Sequence, residues 1–385
     1  MNGHPFQFRH LQFMKEPRLF LQFTRYIFVS FFFCIFANPK WFDKLNDRNL
    51  LIINDNCMVG LVIRTTGSWY KVLPKEDLEK AVDEGWEKLL VDCRLRGNYR
   101  LRGNKQTNPV AVGDWVEYLP QEDGFGVINE VHDRRNYIVR KATKLSKQTH
   151  VIAANLDRLC IVATLGFPRT STGFIDRLLV TAEAYHIPAC LVFNKCDLYE
   201  ETLWKIHNEL KSIYEDAGYP VYAVSALKGD GIEQLRQMIT GQTVLFSGHS
   251  GVGKSALLNA IAPDLHLRVG EVSEWSMKGK HTTTFAEMFP LNITQPASNV
   301  LHRSFLIDTP GIKEFGMVDF SPEELSHFFP EMRRVLHGCH FANCTHRHEP
   351  HCAVKEAVDQ GIISVERYNN YLGIYDQIVN GNETW

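Results

Sequence analysis

Gly248-His249-Ser250-Gly251-Val252-Gly253-Lys254-Ser255 fits the pattern G-x-x-x-x-G-K-[ST], and its flanks decide what the match is worth. Before it, Thr243-Val244-Leu245-Phe246 is a short β-branched and aromatic run; after it, Ala256-Leu257-Leu258-Asn259-Ala260-Ile261 has apolar residues at helical spacing. A strand, a glycine loop and a helix start in that order form a phosphate-binding loop. Glycines allow positive φ and turn consecutive backbone N–H groups towards phosphate oxygens, and the helix N-terminus adds partial positive charge. Lys254 is expected to reach the β- and γ-phosphates and Ser255 to offer its hydroxyl to Mg²⁺. The nucleotide-binding set runs from Gly248 through Ala256.

Which nucleotide is read elsewhere. Asn194-Lys195-Cys196-Asp197 follows the apolar run Ala189 to Phe193, and N-K-x-D at a strand end is the guanine-reading pattern. A carboxylate at Asp197 accepts from both the ring N–H and the exocyclic amine of guanine, a pairing that adenine lacks. Lys195 is expected along the base plane, and Asn194 to tie this loop to the phosphate loop. Ser225-Ala226-Leu227 ends the next strand and reads as the second base-contact loop, with a backbone N–H on the guanine oxygen.

Asp308-Thr309-Pro310-Gly311 closes the run Phe305 to Ile307 as a D-x-x-G motif, with Asp308 behind Mg²⁺ and the Gly311 N–H on the γ-phosphate. Between the two motifs, Lys278-Gly279-Lys280-His281-Thr282-Thr283-Thr284 offers hydroxyls for the metal, Thr283 first, Thr282 and Thr284 beside it. Ile312 follows Gly311 and has no polar group to orient an attacking water, so slow intrinsic hydrolysis is expected. His281 is the nearest polar residue for that role; a solvent-exposed switch-loop histidine is the other reading of it. Guanine loops before the phosphate loop reverse the ordinary GTPase order, which makes the domain circularly permuted. Joining old termini and opening new ones is tolerated because domain ends lie close together at the surface.

At 385 residues the chain is long enough for two or three domains, and 22% charged residues with a net charge of -2 describe a globular protein. Charge is uneven. From Val91 to His150 eleven cations, Arg94, Arg96, Arg100, Arg102, Lys105, Arg134, Arg135, Arg140, Lys141, Lys144 and Lys147, face seven acids. That suits contact with an RNA backbone, and a solvated basic face accounts for it equally. In the same region five short strand-like runs lie between turn signals: Gly60–Arg64, Ser68–Val72, Leu89–Arg94, Ala111–Tyr118 and Gly126–Val131. They suggest a small OB-type barrel, carrying the near-repeat Leu95-Arg96-Gly97-Asn98 and Leu101-Arg102-Gly103-Asn104 as a basic loop. From Val151 strands alternate with helical stretches, such as Ile175 to His186 and Thr202 to Ala217, as in a doubly wound α/β sheet.

Residues 1–57 are Phe-rich and apolar around Tyr26–Val29 and Phe31–Phe36, shorter than the roughly 20 residues of a spanning helix. A membrane anchor and a secretory h-region remain open for this stretch. The expected reading is an appended leader with Met58 as the functional start, because secretion would separate a nucleotide switch from its nucleotide.

Nine cysteines, three of them between positions 339 and 352, suggest a reducing compartment and one metal site. Cys339-x4-Cys344-x-His346-x5-Cys352 supplies three thiolates and an imidazole, the donor set of one closed structural zinc site. The surroundings look too short for much core, so the metal is expected to supply folding energy. Ser321-Pro322-Glu323-Glu324 reads as a helix start before this cluster, and helices around Val354–Val358 and Ser364–Ile378 after it. His340, His348 and His351 are expected at the surface or facing RNA.

From about Met58 onward the chain resembles the ribosome small-subunit-dependent GTPase A family, on the barrel, the permuted motifs and the cysteine–histidine spacing. The resemblance implies a multidomain protein: OB-fold barrel 58–142, circularly permuted P-loop GTPase domain 143–318, and zinc-binding helical domain 319–385; the leader 1–57 departs from the family, which does not need it, and bears only on localisation. It implies GTP hydrolysis to GDP with Mg²⁺, stimulated by the small ribosomal subunit late in its assembly, with barrel and zinc domain on ribosomal RNA. A cytoplasmic monomer without stable membrane association follows. The rivals are a large-subunit assembly GTPase, a membrane-tethered switch and a nucleotide-gated RNA-binding module with negligible turnover.

Overall fold

The computed structural model describes residues 56–78, 85–97, 108–141, 149–265, 267, 286–294, 301–308 and 321–380. Five strands build the N-terminal barrel: β1 (Met58–Thr66), β2 (Trp69–Pro74), β3 (Val91–Leu95), β4 (Trp115–Pro120) and β5 (Gly126–Val131). They run β1-β2-β3-β5-β4, and β4 returns to β1, so the sheet closes; β3 and β5 pair in parallel, the rest antiparallel. Closure removes exposed strand edges. Val62, Val72, Cys93, Val116, Tyr118 and Ile128 fill the interior. These are the five strands read from the sequence, with bounds shifted by a few residues.

The basic segment is divided. Arg134 is a structural residue: its guanidinium holds the fully buried Asp114 through two 2.7 Å bonds, and Asp114 also accepts from the Ala111 N–H at 2.7 Å. Arg135 pairs with Asp157 at 2.8 Å. Arg94 and Arg96 stay exposed. Arg100, Arg102, Lys105, Lys144 and Lys147 lie outside the described residues.

Strands β6 (Tyr137–Lys141) and β7 (Thr149–Ala154) pair with each other, two strands that hydrophobic periodicity did not bring out. The α/β layer follows: β8 (Arg158–Ala163), α1 (Thr172–Ala184), β9 (Ala189–Phe193), α2 (Glu201–Ala217), β10 (Val221–Ala223), α3 (Ile232–Ile239), β11 (Thr243–Ser247), α4 (Lys254–Ile261), β12 (Glu287–Thr294) and β13 (Leu301–Asp308). The order β10-β9-β8-β11-β13 is parallel throughout, and β12 adds an antiparallel strand beside β13. Pro290 inside the run hid β12 from a strand reading. β12 meets β1 at Arg64↔Glu287, whose side chains form an ion pair, so barrel and α/β layer share one eleven-stranded sheet. Chain progression reverses at β8 and β11, and the crevice at their carboxyl ends is where such a sheet binds ligands.

The C-terminal module opens with a 3-10 helix (Pro322–Phe328) whose Ser321 and Glu324 form a capping box, as the sequence suggested. α5 (Pro330–Arg333), α6 (Ala353–Asp359) and α7 (Val365–Asn380) follow. Contrary to the expectation of little core, Leu325, Phe329, Met332, Val354, Tyr371 and Ile374 pack together and against Val180 of α1. The reason is tertiary: the module borrows a face of the α/β layer. Among the described residues no helix is long and apolar enough to cross a membrane.

Candidate GTP site and metal cluster

Three loops converge at the carboxyl ends of β8, β9 and β11. The phosphate loop leaves β11 with positive φ at Gly251 and Gly253 and enters α4 at Lys254. Gly253 is required twice over. Its φ is +89°, and a Cβ there would stand 2.6 Å from Asn194 Nδ2. At Gly248 a Cβ would fall 2.3 Å from the Val162 carbonyl of the neighbouring strand. Lys254 Nζ lies over its own loop, donating to the carbonyls of Gly248 at 2.5 Å and His249 at 3.2 Å. Burial lowers the Lys254 pKa, and the Asp308 charge pulls the other way. Phosphates delivered to the loop would raise it again. Ser255 and Ala256 occupy the first turn of α4, half-buried.

Asn194 joins the loops, as its motif suggested. Its Nδ2 donates to the Val252 carbonyl at 2.9 Å and its Oδ1 accepts from the Ala226 N–H at 3.1 Å. One buried amide therefore holds the phosphate loop, the guanine loop and the Ser225–Leu227 loop in register. Lys195 is left-handed at φ 65° and donates to the carbonyls of Phe167 (2.9 Å) and Gly251 (2.8 Å). Cys196 is buried, and burial pushes its thiol pKa up. Asp197 accepts on Oδ1 from the Ser225 hydroxyl at 2.6 Å, while Ser225 Oγ takes the Lys228 N–H at 3.0 Å. The carboxylate that would read guanine is thus held by one of its oxygens. Leu227 projects, 81% exposed.

Sequence reasoning missed the loop after β8. Thr164 to Ser171 lies against the phosphate loop: Pro168 faces Gly251, Thr170 Oγ1 sits 2.7 Å from His249 Nε2, and Phe167 is 93% exposed. A Gly-Phe-Pro sequence at the end of a buried strand, in a sheet whose ligands sit at carboxyl ends, was the available signal. Of the switch residues, Asp308 ends β13. His281, Thr282, Thr283, Thr284, Gly311 and Ile312 lie outside the described residues.

Cys339, Cys344, His346 and Cys352 come together with their donor atoms all within 4.8 Å of one another. His346 Nδ1 is 3.3 Å from Cys352 Sγ and 3.6 Å from Cys339 Sγ. Tetrahedral zinc–thiolate bonds of about 2.3 Å put ligand atoms about 3.7 Å apart, so the donor set fits a closed four-coordinate ion. Burial and the neighbouring thiols push Cys344 up to about 12; a bound cation reverses that cost. These four residues could hold a metal ion. His340, His348 and His351 are exposed, as expected.

Family models match the barrel and the α/β layer: an RsgA N-terminal domain over residues 59–128 and an RsgA GTPase over 131–318. A relative from Bacteroides thetaiotaomicron, named small ribosomal subunit biogenesis GTPase RsgA 2, is 47% identical over 324 residues, 84% of this chain and 98% of its own. The chain belongs to the RsgA GTPase family. A Flavobacterium johnsoniae member named small ribosomal subunit biogenesis GTPase RsgA is 45% identical over 83% of this chain and 93% of its own. The crystal structure of YjeQ from Thermotoga maritima superposes with a TM-score of 0.64 at 35% identity, over 84% of this chain and 99% of that one. YloQ, described as a circularly permuted GTPase, gives 0.62 at 27% identity, over 88% and 100%. Membership makes the protein a GTPase with a permuted fold, and the loop order along the chain agrees.

Proposed function

We propose that this RsgA-family protein hydrolyses GTP on the small ribosomal subunit during its late maturation, gripping ribosomal RNA with the barrel and the C-terminal module. The observation that carries the reading is the near full-length match to relatives named for small-subunit biogenesis, over a chain in which Asn194 bonds the guanine loop to the phosphate loop. In this reading Asp197 accepts the two guanine donors, with Asn194, Lys195, Cys196, Ser225, Ala226 and Leu227 framing the base. Backbone N–H groups of Gly248 to Ser255 surround the phosphates, and Lys254 moves from its loop carbonyls to the β- and γ-oxygens. Mg²⁺ held through Ser255 and Thr283, with Asp308 behind it, would neutralise charge as the terminal phosphoryl leaves GDP. Water attacks that phosphorus, the bond to the β-phosphate oxygen breaks, and GDP and phosphate form; we assign the positioning of the water to His281. The Gly311 N–H senses the γ-phosphate.

We further assign one structural Zn²⁺ to Cys339, Cys344, His346 and Cys352, supported by three sulfurs and one nitrogen that lie within 4.8 Å of one another. Domain limits of 58–142, 143–318 and 319–385, a monomeric state and a cytoplasmic location complete the proposal. The test is GTP turnover by the full chain alone, with isolated small subunits and with large subunits. Stimulation by small subunits only is expected. Equal stimulation by both would favour a different assembly step, and no turnover under any condition would leave an RNA-binding module instead of an enzyme.

A further inference from the structure

Helix α1 touches the phosphate loop at one end and the metal-cluster module along its first turns. At its N-terminus Ser171 Oγ accepts from the Phe174 N–H at 3.2 Å, which starts the helix. The preceding Thr170 hydroxyl accepts from the Thr164 N–H at 3.0 Å and faces His249 Nε2 at 2.7 Å. His249 Nδ1 lies 3.1 Å from the Ser250 carbonyl. A carbonyl only accepts, so Nδ1 donates to it, and in the neutral ring Nε2 accepts from the Thr170 hydroxyl. Phe174 closes the contact, edge-on to the imidazole at 5.5 Å. A phosphate-loop residue is thereby bonded to the start of α1.

One turn along, Asp176 is fully buried and accepts from Arg367 Nη1 (2.6 Å), Asn370 Nδ2 (2.6 Å) and Tyr214 Oη (3.0 Å). Arg367, itself buried, also grips Glu331 through bonds of 2.7 and 3.1 Å. Thr172 adds a 2.8 Å bond to Glu366. Helix α7, which carries Arg367 and Asn370, holds the metal cluster through other residues: Tyr368 Oη donates to the His346 carbonyl at 2.6 Å and Tyr371 Oη to the Thr345 carbonyl at 2.8 Å. Buried charge pairs contribute little net stability compared with apolar packing, but separating one leaves an uncompensated buried charge, so the pair resists being pulled apart. The Asp176–Arg367–Glu331 set fixes how α7 sits on α1.

We propose that α1 is a strut that couples the metal-cluster module to the phosphate loop, with Thr170 and His249 as positioning residues for the nucleotide. Whatever engages the module then biases the loop, and nucleotide biases the module by the same factor. The ribosomal occupant of the module rests on the function proposed above; the strut does not.

Binding of a fluorescent GDP analogue to the full metal-loaded chain tests it, using Thr170→Val, Thr170→Ser, Asn370→Ala and the double variant T170V/N370A. T170V should weaken GDP three- to tenfold and T170S should keep wild-type affinity, because only the hydroxyl matters. N370A, which leaves Asp176–Arg367 and Arg367–Glu331 in place, should weaken GDP at least threefold although Asn370 belongs to the other module. Once Thr170 has let go of the loop, N370A should add nothing further. Wild-type affinity in N370A, or effects that multiply in the double variant, would overturn the strut. Small-subunit stimulation is read separately: its absence in the wild type defeats the ribosomal reading and leaves the GDP cycle untouched.

Discussion

Asp197→Asn exchanges the acceptor that would distinguish guanine for a group that both donates and accepts, and the surrounding bonds decide which way it faces. The Lys228 N–H already donates to Ser225 Oγ, and the Ser225 hydroxyl donates to Asp197 Oδ1 at 2.6 Å. The new amide keeps that bond by placing its oxygen at the Oδ1 position. Its NH₂ then stands where Oδ2 stood, facing the ring N–H and exocyclic amine of guanine. Two charge-assisted bonds of about 1.5–3 kcal/mol each are lost, and two donors are set against donors. A loss of about 3–6 kcal/mol corresponds to roughly 10²- to 10⁴-fold in GTP affinity at 1.4 kcal/mol per decade. Xanthine nucleotides carry a carbonyl in place of the exocyclic amine and should bind the variant better than GTP. Competition of GTP and XTP against a fluorescent guanine nucleotide measures both. GTP affinity within threefold of wild type, with no gain for XTP, refutes the assignment of Asp197 as the base reader.

Gly253→Ala should cost nucleotide binding about 2–5 kcal/mol, since an L-residue at φ +89° costs about 1–2 kcal/mol and the new Cβ dislodges Asn194 from Val252; calorimetric titration of GDP reads it. Arg134→Ala leaves Asp114 as a buried anion without its guanidinium and should destabilise the chain by about 3–5 kcal/mol in thermal unfolding, whereas Arg96→Ala should be near neutral. Cys344→Ser should abolish stoichiometric zinc in metal analysis and make residues 321–380 the first cut by protease, leaving the barrel intact. Burial pushes Glu349 up, but bonds from the Thr345 hydroxyl and N–H and the Arg347 N–H outweigh it and hold the carboxylate at about 2. Its folded value lies below its unfolded one, so this stabilisation is present above about pH 4.5 and disappears as pH falls towards 2. Acid titration of far-UV signal should show a slope in that window that Glu349→Gln lacks.

How much could be read in advance follows from how local each feature is. The phosphate loop, the guanine loop and the cysteine–histidine cluster are each built from contiguous residues, because a phosphate cradle needs successive N–H groups and a small metal site needs donors from a short chain. Residue order alone therefore determined the GTP motifs, their permutation, the five barrel strands and the metal donor set. Tertiary structure decided the rest. It made Arg134 a partner of buried Asp114 in place of an RNA contact, brought Thr164–Ser171 against the phosphate loop, and gave the C-terminal module a core by seating it on α1. Arg367 and Asp176 are 191 residues apart, and neither periodicity nor spacing marks one as the other's partner. A buried charge finds its counter-charge through desolvation in the folded chain, and that cost does not exist until the chain has folded.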